Sequence, residues 1–443
     1  MGPPVFYFTE EIMRREIVHP GAKQLTYEIR QIVSVADRIS DFGREIIWEN
    51  IGDPIEKGAS IEPWMKEIIT SLTACSESYR YTASQGDRGA RAFLSEQIRM
   101  RGGADASSDD IIFFNVLGDA VAEIVGFLKR EARVIGPSPA YSTHSSAEAA
   151  HSGYEHLTYK LDPENNWLPD IDDLRNKVRY NDSIAGILLI NPDNPTGIVY
   201  SKGMLEQIVE IAAEHDLFIV ADETSCNVVF PGIEFTYINE VIGDVPAISM
   251  KSISKEYPWP GARCGWIEVY NRDKDRQFDL YVESLINAKR LEVCSTTLPQ
   301  LSIPPVMSDP RYAEHIERQS AELAARADEA SAELTGISGI RFIKPQAALY
   351  FTVLFDEGAL NENQKLHIDD DSIRTYIEEI TEGMPLDKRF VYYLLGAEGI
   401  CVVPLTGFCS ELKGFRFTLL ETDSEKRAKI YRAIGERVRE FLS

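Results

Sequence analysis

The chain has 443 residues, 44% apolar and 10% aromatic, which is enough to bury a sizeable core and more than one small domain needs. Its 46 Lys and Arg against 70 Asp and Glu give a formal charge of -24, which excludes a general nucleic-acid binder and a protein docked on an anionic membrane, since both need clustered cations. Six cysteines, without a C-x-x-C pair or zinc-finger spacing, point to a reduced cytoplasm and to no metal centre.

The N-terminus, MGPPVFYFTEEIMRREIV, has acidic residues where a signal peptide would need a basic stretch and then an apolar run. No run of about 18 apolar residues follows anywhere, so no membrane span is expected. Apolar spacing over 24–40 predicts an amphipathic helix, which leads through Ile46-Ile47-Trp48 to a turn at Gly52-Asp53-Pro54. A second helix is expected over 87–101. The middle of the chain then alternates short apolar runs with helices. The runs are Ile111–Phe114, Arg133–Ile135, Ile184–Ile190, Leu217–Ala221 and Ala247–Met250, with helices near 120–130 and 202–216 between them. That alternation predicts an α/β fold with a mostly parallel sheet covered on both faces.

After Pro304-Pro305 the texture changes: a long helix over 310–334 precedes short strands at Ile340–Ile343 and Leu349–Leu354, and 425–442 reads as a closing helix. Gly358 and Asp369–Asp371 break the pattern and read as loops. The expected organisation is an N-terminal segment, 1–75, packing on a smaller α+β domain, 306–443, with a large domain, 76–305, between them.

In a parallel sheet, ligands bind beyond the carboxyl ends of the strands. Three such ends carry chemistry here: Asn191-Pro-Asp-Asn-Pro-Thr-Gly197, Asp222-Glu223, and Ser252-Ile-Ser-Lys255 with Arg263 eight residues on. An amide, a carboxylate and a lysine so placed suit a cofactor that has an aldehyde, a cationic ring nitrogen, a phenolate oxygen and a phosphate. The lysine amine can form an imine and then move protons. A buried carboxylate can hold a pyridine nitrogen protonated, and Arg263, Ser252 and amides at a helix start can hold a phosphate. Taken singly, each of these residues has a plainer reading, as a solvated lysine, a helix-capping acid or a turn. His144, His151 and His156 read as structural or solvated, because no metal-binding spacing involves them.

These motifs resemble those of the class I/II aminotransferases, pyridoxal-phosphate (PLP) enzymes of fold type I, over roughly residues 45–440. NPDNPTG is similar to the family's N-P-x-N-P-T-G loop, which implies that Asn194 meets the cofactor's ring oxygen and the substrate. The resemblance further implies that Asp222 pairs with the pyridine nitrogen and that Lys255 is the Schiff-base lysine, with Ser252 and Arg263 at the phosphate. Gly118, Asp119 and Ala120 resemble the phosphate-cradling turn, and Tyr141 resembles the aromatic that stacks on the ring. Tyr81 resembles a tyrosine lent to the neighbouring subunit, implying a homodimer with shared sites. Gly52 and Arg416 fall at the substrate, with Arg416 gripping the α-carboxylate.

One departure stands out. Where the family commonly has a tyrosine three residues after the acid, this chain has Ser225 at the ring oxygen. The implied activity is transfer of an amino group between an L-amino acid and a 2-oxo acid. A PLP-dependent lyase, decarboxylase, cyclase or oxidase is the alternative, and a non-catalytic sensor on the same fold a further one.

Overall fold

The computed structural model describes residues 17–25 and 28–443. Residues 1–16, which hold most of the stretch that argued against a signal peptide, lie outside the described residues. In chain order the strands are β1 (Ile47–Trp48), β2 (Ile111–Phe114), β3 (Arg133–Ser138), β4 (Thr158–Asp162), β5 (Leu168–Pro169), β6 (Ile184–Ile190), β7 (Phe218–Asp222), β8 (Ala247–Ser252), β9 (Gly265–Tyr270), β10 (Ile340–Phe342), β11 (Tyr350–Phe355), β12 (Ile400–Cys401), β13 (Val403–Pro404) and β14 (Gly414–Thr418). The α-helices are α1 (Glu28–Asp41), α2 (Pro63–Thr73), α3 (Arg88–Arg101), α4 (Leu117–Gly126), α5 (Ser142–Ser152), α6 (Ile171–Arg179), α7 (Lys202–Glu214), α8 (Arg276–Glu292), α9 (Thr297–Met307), α10 (Arg311–Leu334), α11 (Asp371–Ile380), α12 (Leu386–Glu398) and α13 (Ser424–Leu442).

Strands β2 to β9 form one sheet in the order β2-β9-β8-β7-β6-β3-β4-β5. Its centre is parallel: β3 with β6, β6 with β7, and β7 with β8. Only β9 and the short β5 bring antiparallel pairings. Side chains alternate across such a sheet, and here both faces are covered. Ile111, Phe113, Ile187, Leu189, Ile219 and Ala221 enter one core, while Ile112, Phe114, Leu188, Ile190 and Val220 enter the other. Burial on both sides is why these strands read as continuous apolar runs. A second sheet, β10-β11-β14-β13, is antiparallel and shares its core with α10 to α13. The short β1 pairs in parallel with β12, which ties the chain ahead of Gly52 to this smaller unit.

The helix expected over 24–40 forms as α1, preceded by a short 3-10 turn over Pro20–Gln24. Two expectations need correction. Pro304 and Pro305 do not end the preceding structure but lie inside α9. They fall in its last turn, where they take two N–H donors out of the ladder, and Gln300 braces the start by donating to the carbonyls of Ser295 and Thr296. Asp369–Asp371 is not a plain loop: Asp370 caps α11, accepting from the backbone of Ser372 and Ile373. Among the described residues no helix is long and apolar enough to cross a membrane.

Candidate active site

Because β6, β7 and β8 are adjacent and parallel, their carboxyl ends open on the same edge. The loop after β6 is built by its own side chains: Asp193 Oδ2 accepts from the Thr196 amide at 3.0 Å, and Asn191 Oδ1 accepts from the Tyr200 amide at 2.9 Å. Gly197, at φ +73°, lets this loop press on residues 345–350, since a Cβ there would come within 2.6 Å of Pro345. Asn194 is thereby held facing β14, and its Oδ1 accepts from Arg416 at 3.3 Å.

At the end of β7 the pleat separates two carboxylates. Asp222 turns to one side, where its Oδ2 lies 2.8 Å from His144 Nε2 and its Oδ1 accepts both the amide and the hydroxyl of Thr224. Burial alone would raise the Asp222 pKa, but the bond to His144 and its field, with the two Thr224 bonds, hold it below the ordinary value. Glu223 turns to the other side and accepts from Ser249 and Lys251, each at 2.6 Å. His144 is therefore no detached structural histidine, as its sequence surroundings had suggested: α5 carries it onto Asp222, a pairing that spacing along the chain cannot reveal.

Lys255 follows β8. Its Nζ donates to the Gly52 carbonyl at 2.5 Å. Burial depresses its pKa, and Arg416 and Arg263 push the same way against Tyr141 and Asp53. An amine with a lowered pKa is a nucleophile at lower pH. Acylation of Lys255 in the cofactor-free protein, followed by mass spectrometry across pH, is expected to show a midpoint below the ordinary lysine value of about 10.4. A midpoint at or above that value would contradict the buried placement.

Gly52 is fixed from behind. Glu49 takes a 2.5 Å bond from buried Lys57, and its backbone bonds to Cys401 and Thr418. A Cβ on Gly52 would lie 2.7 Å from the Tyr350 hydroxyl and 3.3 Å from Lys255 Nζ, so the site has no room for a side chain there. Arg416, on β14, is fully buried: it bonds to the Asn50 carbonyl, and its guanidinium lies 4.4 Å from the Tyr350 ring centre and 5.0 Å from that of Phe408. Tyr350, Asn50, Phe408 and Thr224 were not singled out in the sequence. Tyr350 is placed by its strand, two positions along β11 from the residue paired with Arg416.

On the phosphate side, Ser252 is paired with Gly265 across β8 and β9, and a Cβ on Gly265 would meet Leu117 at 2.9 Å. The first turn of α4, with Gly118, Asp119 and Ala120, is therefore set beside Ser252. Its N-cap, Val116, provides no side-chain bond, and its carbonyl accepts from Asp119 and Ala120, so the Leu117 and Gly118 amides are the ones left for an anion. The Ser252 hydroxyl sits 2.7 Å from that of Ser254 and 3.1 Å from the Cys264 carbonyl. Arg263 is left-handed at φ +52°, and its exposed guanidinium donates to the Pro260 carbonyl. Tyr141 heads α5, its ring 6.2 Å from that of His144. Ser225 lies in the turn after Asp222, where its carbonyl accepts from Val228. Tyr81 is not drawn in: it is 79% exposed within the single chain. Among the described residues no group of three or more His, Cys, Asp or Glu side chains is arranged to hold a metal.

Comparison with known proteins places this geometry. Residues 47–434 match the family model for aminotransferase class I and II. An uncharacterized aminotransferase of Methanocaldococcus jannaschii is 51% identical over 430 residues, covering 97% of this chain and 100% of the other. The glutamate-pyruvate aminotransferase AlaA of Escherichia coli is 28% identical over 352 residues, 78% of this chain and 85% of that protein. Among solved structures, an alanine aminotransferase from Pyrococcus furiosus superposes with a TM-score of 0.81 at 26% identity, covering 95% of this chain and 98% of the other.

Proposed function

The chain belongs to the class I and II aminotransferases, and from that premise we propose that Lys255, Asp222, Asn194 and Arg416 form the centre at which it moves an amino group between an L-amino acid and a 2-oxo acid. The observation that carries this reading is the placement of the Lys255 amine, held 2.5 Å from the Gly52 carbonyl in a crevice that Arg416 also faces.

The cofactor the family implies is pyridoxal 5'-phosphate, and the residues present fit it. Gly52 lets the backbone come up to the Lys255 amine where any Cβ would collide, the start of α4 has no side-chain cap, and Asp222 is held as a carboxylate. When bound, pyridoxal phosphate supplies an aldehyde that takes up the amino group and a protonated ring that accepts electron density from the substrate Cα. Asp222 would keep that ring nitrogen protonated, with His144 and Thr224 fixing the carboxylate. Asn194 and Ser225 would face the ring oxygen, and Tyr141 the ring. The turn of Gly118, Asp119 and Ala120, through the Gly118 amide, would hold the phosphate with Ser252 and Arg263. Arg416 would orient the substrate carboxylate, assisted by the Asn50 carbonyl and the Tyr350 ring that hold its guanidinium. Lys255, once free, is the base placed to move the Cα proton.

A homodimer would complete the site by bringing Tyr81 from a second copy. Support comes from an exposed apolar face: Tyr79 is 76%, Tyr81 79% and Leu291 89% exposed. The two segments meet where Thr297 donates to the Arg80 carbonyl. Val293 beside them has φ +81°, a costly backbone for a β-branched residue. The proposed division of the chain is 1–75, 76–305 and 306–443. It agrees with β2 to β9 all falling in the middle stretch and β10 to β14 in the last. Free thiols at all six cysteines fit a cytoplasmic enzyme. The names of the relatives make alanine and glutamate the first amino donors to try, with pyruvate and 2-oxoglutarate as acceptors.

The test is a half-reaction. Holoenzyme given one amino acid and no acceptor is expected to release a stoichiometric amount of the matching 2-oxo acid and to keep the nitrogen until a second oxo acid collects it. Release of ammonia and pyruvate from β-substituted amino acids, with no retained nitrogen, would overturn the reading in favour of a lyase.

A further inference from the structure

The amino group and carboxylate of one small substrate must be met at once by groups on different parts of the chain. Lys255 follows β8 of the large sheet, whereas Arg416 lies on β14 of the small one. Inside the crevice the two are linked only through residues 50–52 and Asn194; a second set of links lies behind it, on α10.

One face of α10 carries His315, Gln319 and Arg326. Eleven residues are close to three helical turns, so His315 and Arg326 project within about 20° of each other. At one end, His315 Nε2 donates to the Glu256 carbonyl at 2.8 Å, and Gln319 Nε2 donates to the Lys255 carbonyl at 3.0 Å. At the other end, Arg326 donates to the carbonyls of Leu419 and Leu420, both at 3.2 Å, three and four residues beyond Arg416. A third link reaches the segment that leads from Gly52 into α2: Arg318 bonds Glu62 at 2.6 Å, and His315 Nδ1 lies 3.7 Å from the same carboxylate oxygen. Between these links lies a cavity of about 180 Å³ lined by Pro54, His315, Gln319, Arg326 and Leu420, among others. Leu323 and Leu420, both buried in one apolar cluster, line it too, so packing joins α10 to the small domain while the polar links set the register of Lys255 and Arg416.

We propose that Gln319, His315 and Arg326 are positioning residues for the transfer reaction, α10 acting as a rigid gauge between the Lys255 amine and the Arg416 guanidinium. This rests on the reading of Lys255 and Arg416 given above. A substrate that uses both ends depends on the gauge, and a displacement of about 1 Å costs about 100-fold in rate. A primary amine without a carboxylate uses only the Lys255 end and does not depend on it.

The experiment compares holoenzyme with Gln319→Ala, Arg326→Ala and the double variant, measuring kcat/KM for alanine and for ethylamine, which lacks the carboxylate. Each single variant is expected to lose about 10- to 100-fold on alanine and less than about 3-fold on ethylamine. The double variant should lose little more than the worse single, since both spoil one distance. Arg326→Lys should recover part of the loss. Crystal structures should show the Lys255–Arg416 Cα separation changed in the alanine variants. Equal losses on both substrates, or losses that multiply in the double variant, overturn the gauge, as does an unchanged separation. If the wild-type enzyme transfers no amino group, the reaction reading fails instead, while a changed separation would still support the positioning role.

Discussion

Lys255→Ala is expected to lower kcat for amino-group transfer by at least about 10⁴-fold, while the protein stays folded. Lys251, four residues earlier on β8, points away from the crevice, bonded at 2.6 Å to Glu223 and 4.7 Å from the Tyr237 ring centre. It cannot swing through the sheet to substitute. The loss should be seen in single-turnover assays, together with disappearance of cofactor mass from the Lys255 peptide after borohydride reduction. Truncating Lys255 removes one bond to the Gly52 carbonyl and no ion pair, so the melting temperature should move by only a few degrees. A variant retaining more than about one per cent of the rate would show that another group moves the proton.

Asp222→Asn is expected to lower kcat/KM on the order of 10³-fold, the upper end of the loss expected when one preorganised electrostatic partner of the reacting system is removed. Asparagine keeps the size of the side chain and can still accept from Thr224, so the change tests charge rather than packing. Cofactor affinity, measured by equilibrium dialysis, should fall as well. The pH dependence has a definite sign. Asp222 has a folded pKa below its unfolded value near 3.9, so its contribution to stability is complete above about pH 4 and disappears as pH falls through the lower, folded value. The stability difference between wild type and Asp222→Asn should therefore stay constant above about pH 4 and shrink only as pH falls below it. A difference that already changes between pH 5 and 7 would mean that Asp222 is not held as a carboxylate.

Much of the large sheet could be read from the chain because burial on both faces leaves uninterrupted apolar runs, and because polar residues resume where each strand ends. Asn194, Asp222 and Lys255 stand at three such ends, so one topological rule gathered them. Arg416 was legible only through its motif, since nothing local distinguishes a buried arginine on β14 from a surface one. Tyr350 and His144 could not be reached. Their roles depend on which strand lies beside β14 and on how α5 lies across the end of β7, and neither contact leaves a trace in local spacing. α9 was obscured for the opposite reason: its proline pair is a strong local signal for a break, but the helix, braced at its start by Gln300, runs on through it.

The neighbouring carboxylates at the end of β7 bear on how such a gene can change. Deleting a single codon between Phe218 and Asp222 would exchange the two acids, turning Glu223 toward the crevice and the aspartate toward Lys251. Each would then meet the wrong companion, a lysine on one side and a histidine on the other. Lineages of this chain can therefore vary β7 by substitution, but length changes there should survive only when two residues are lost or gained together.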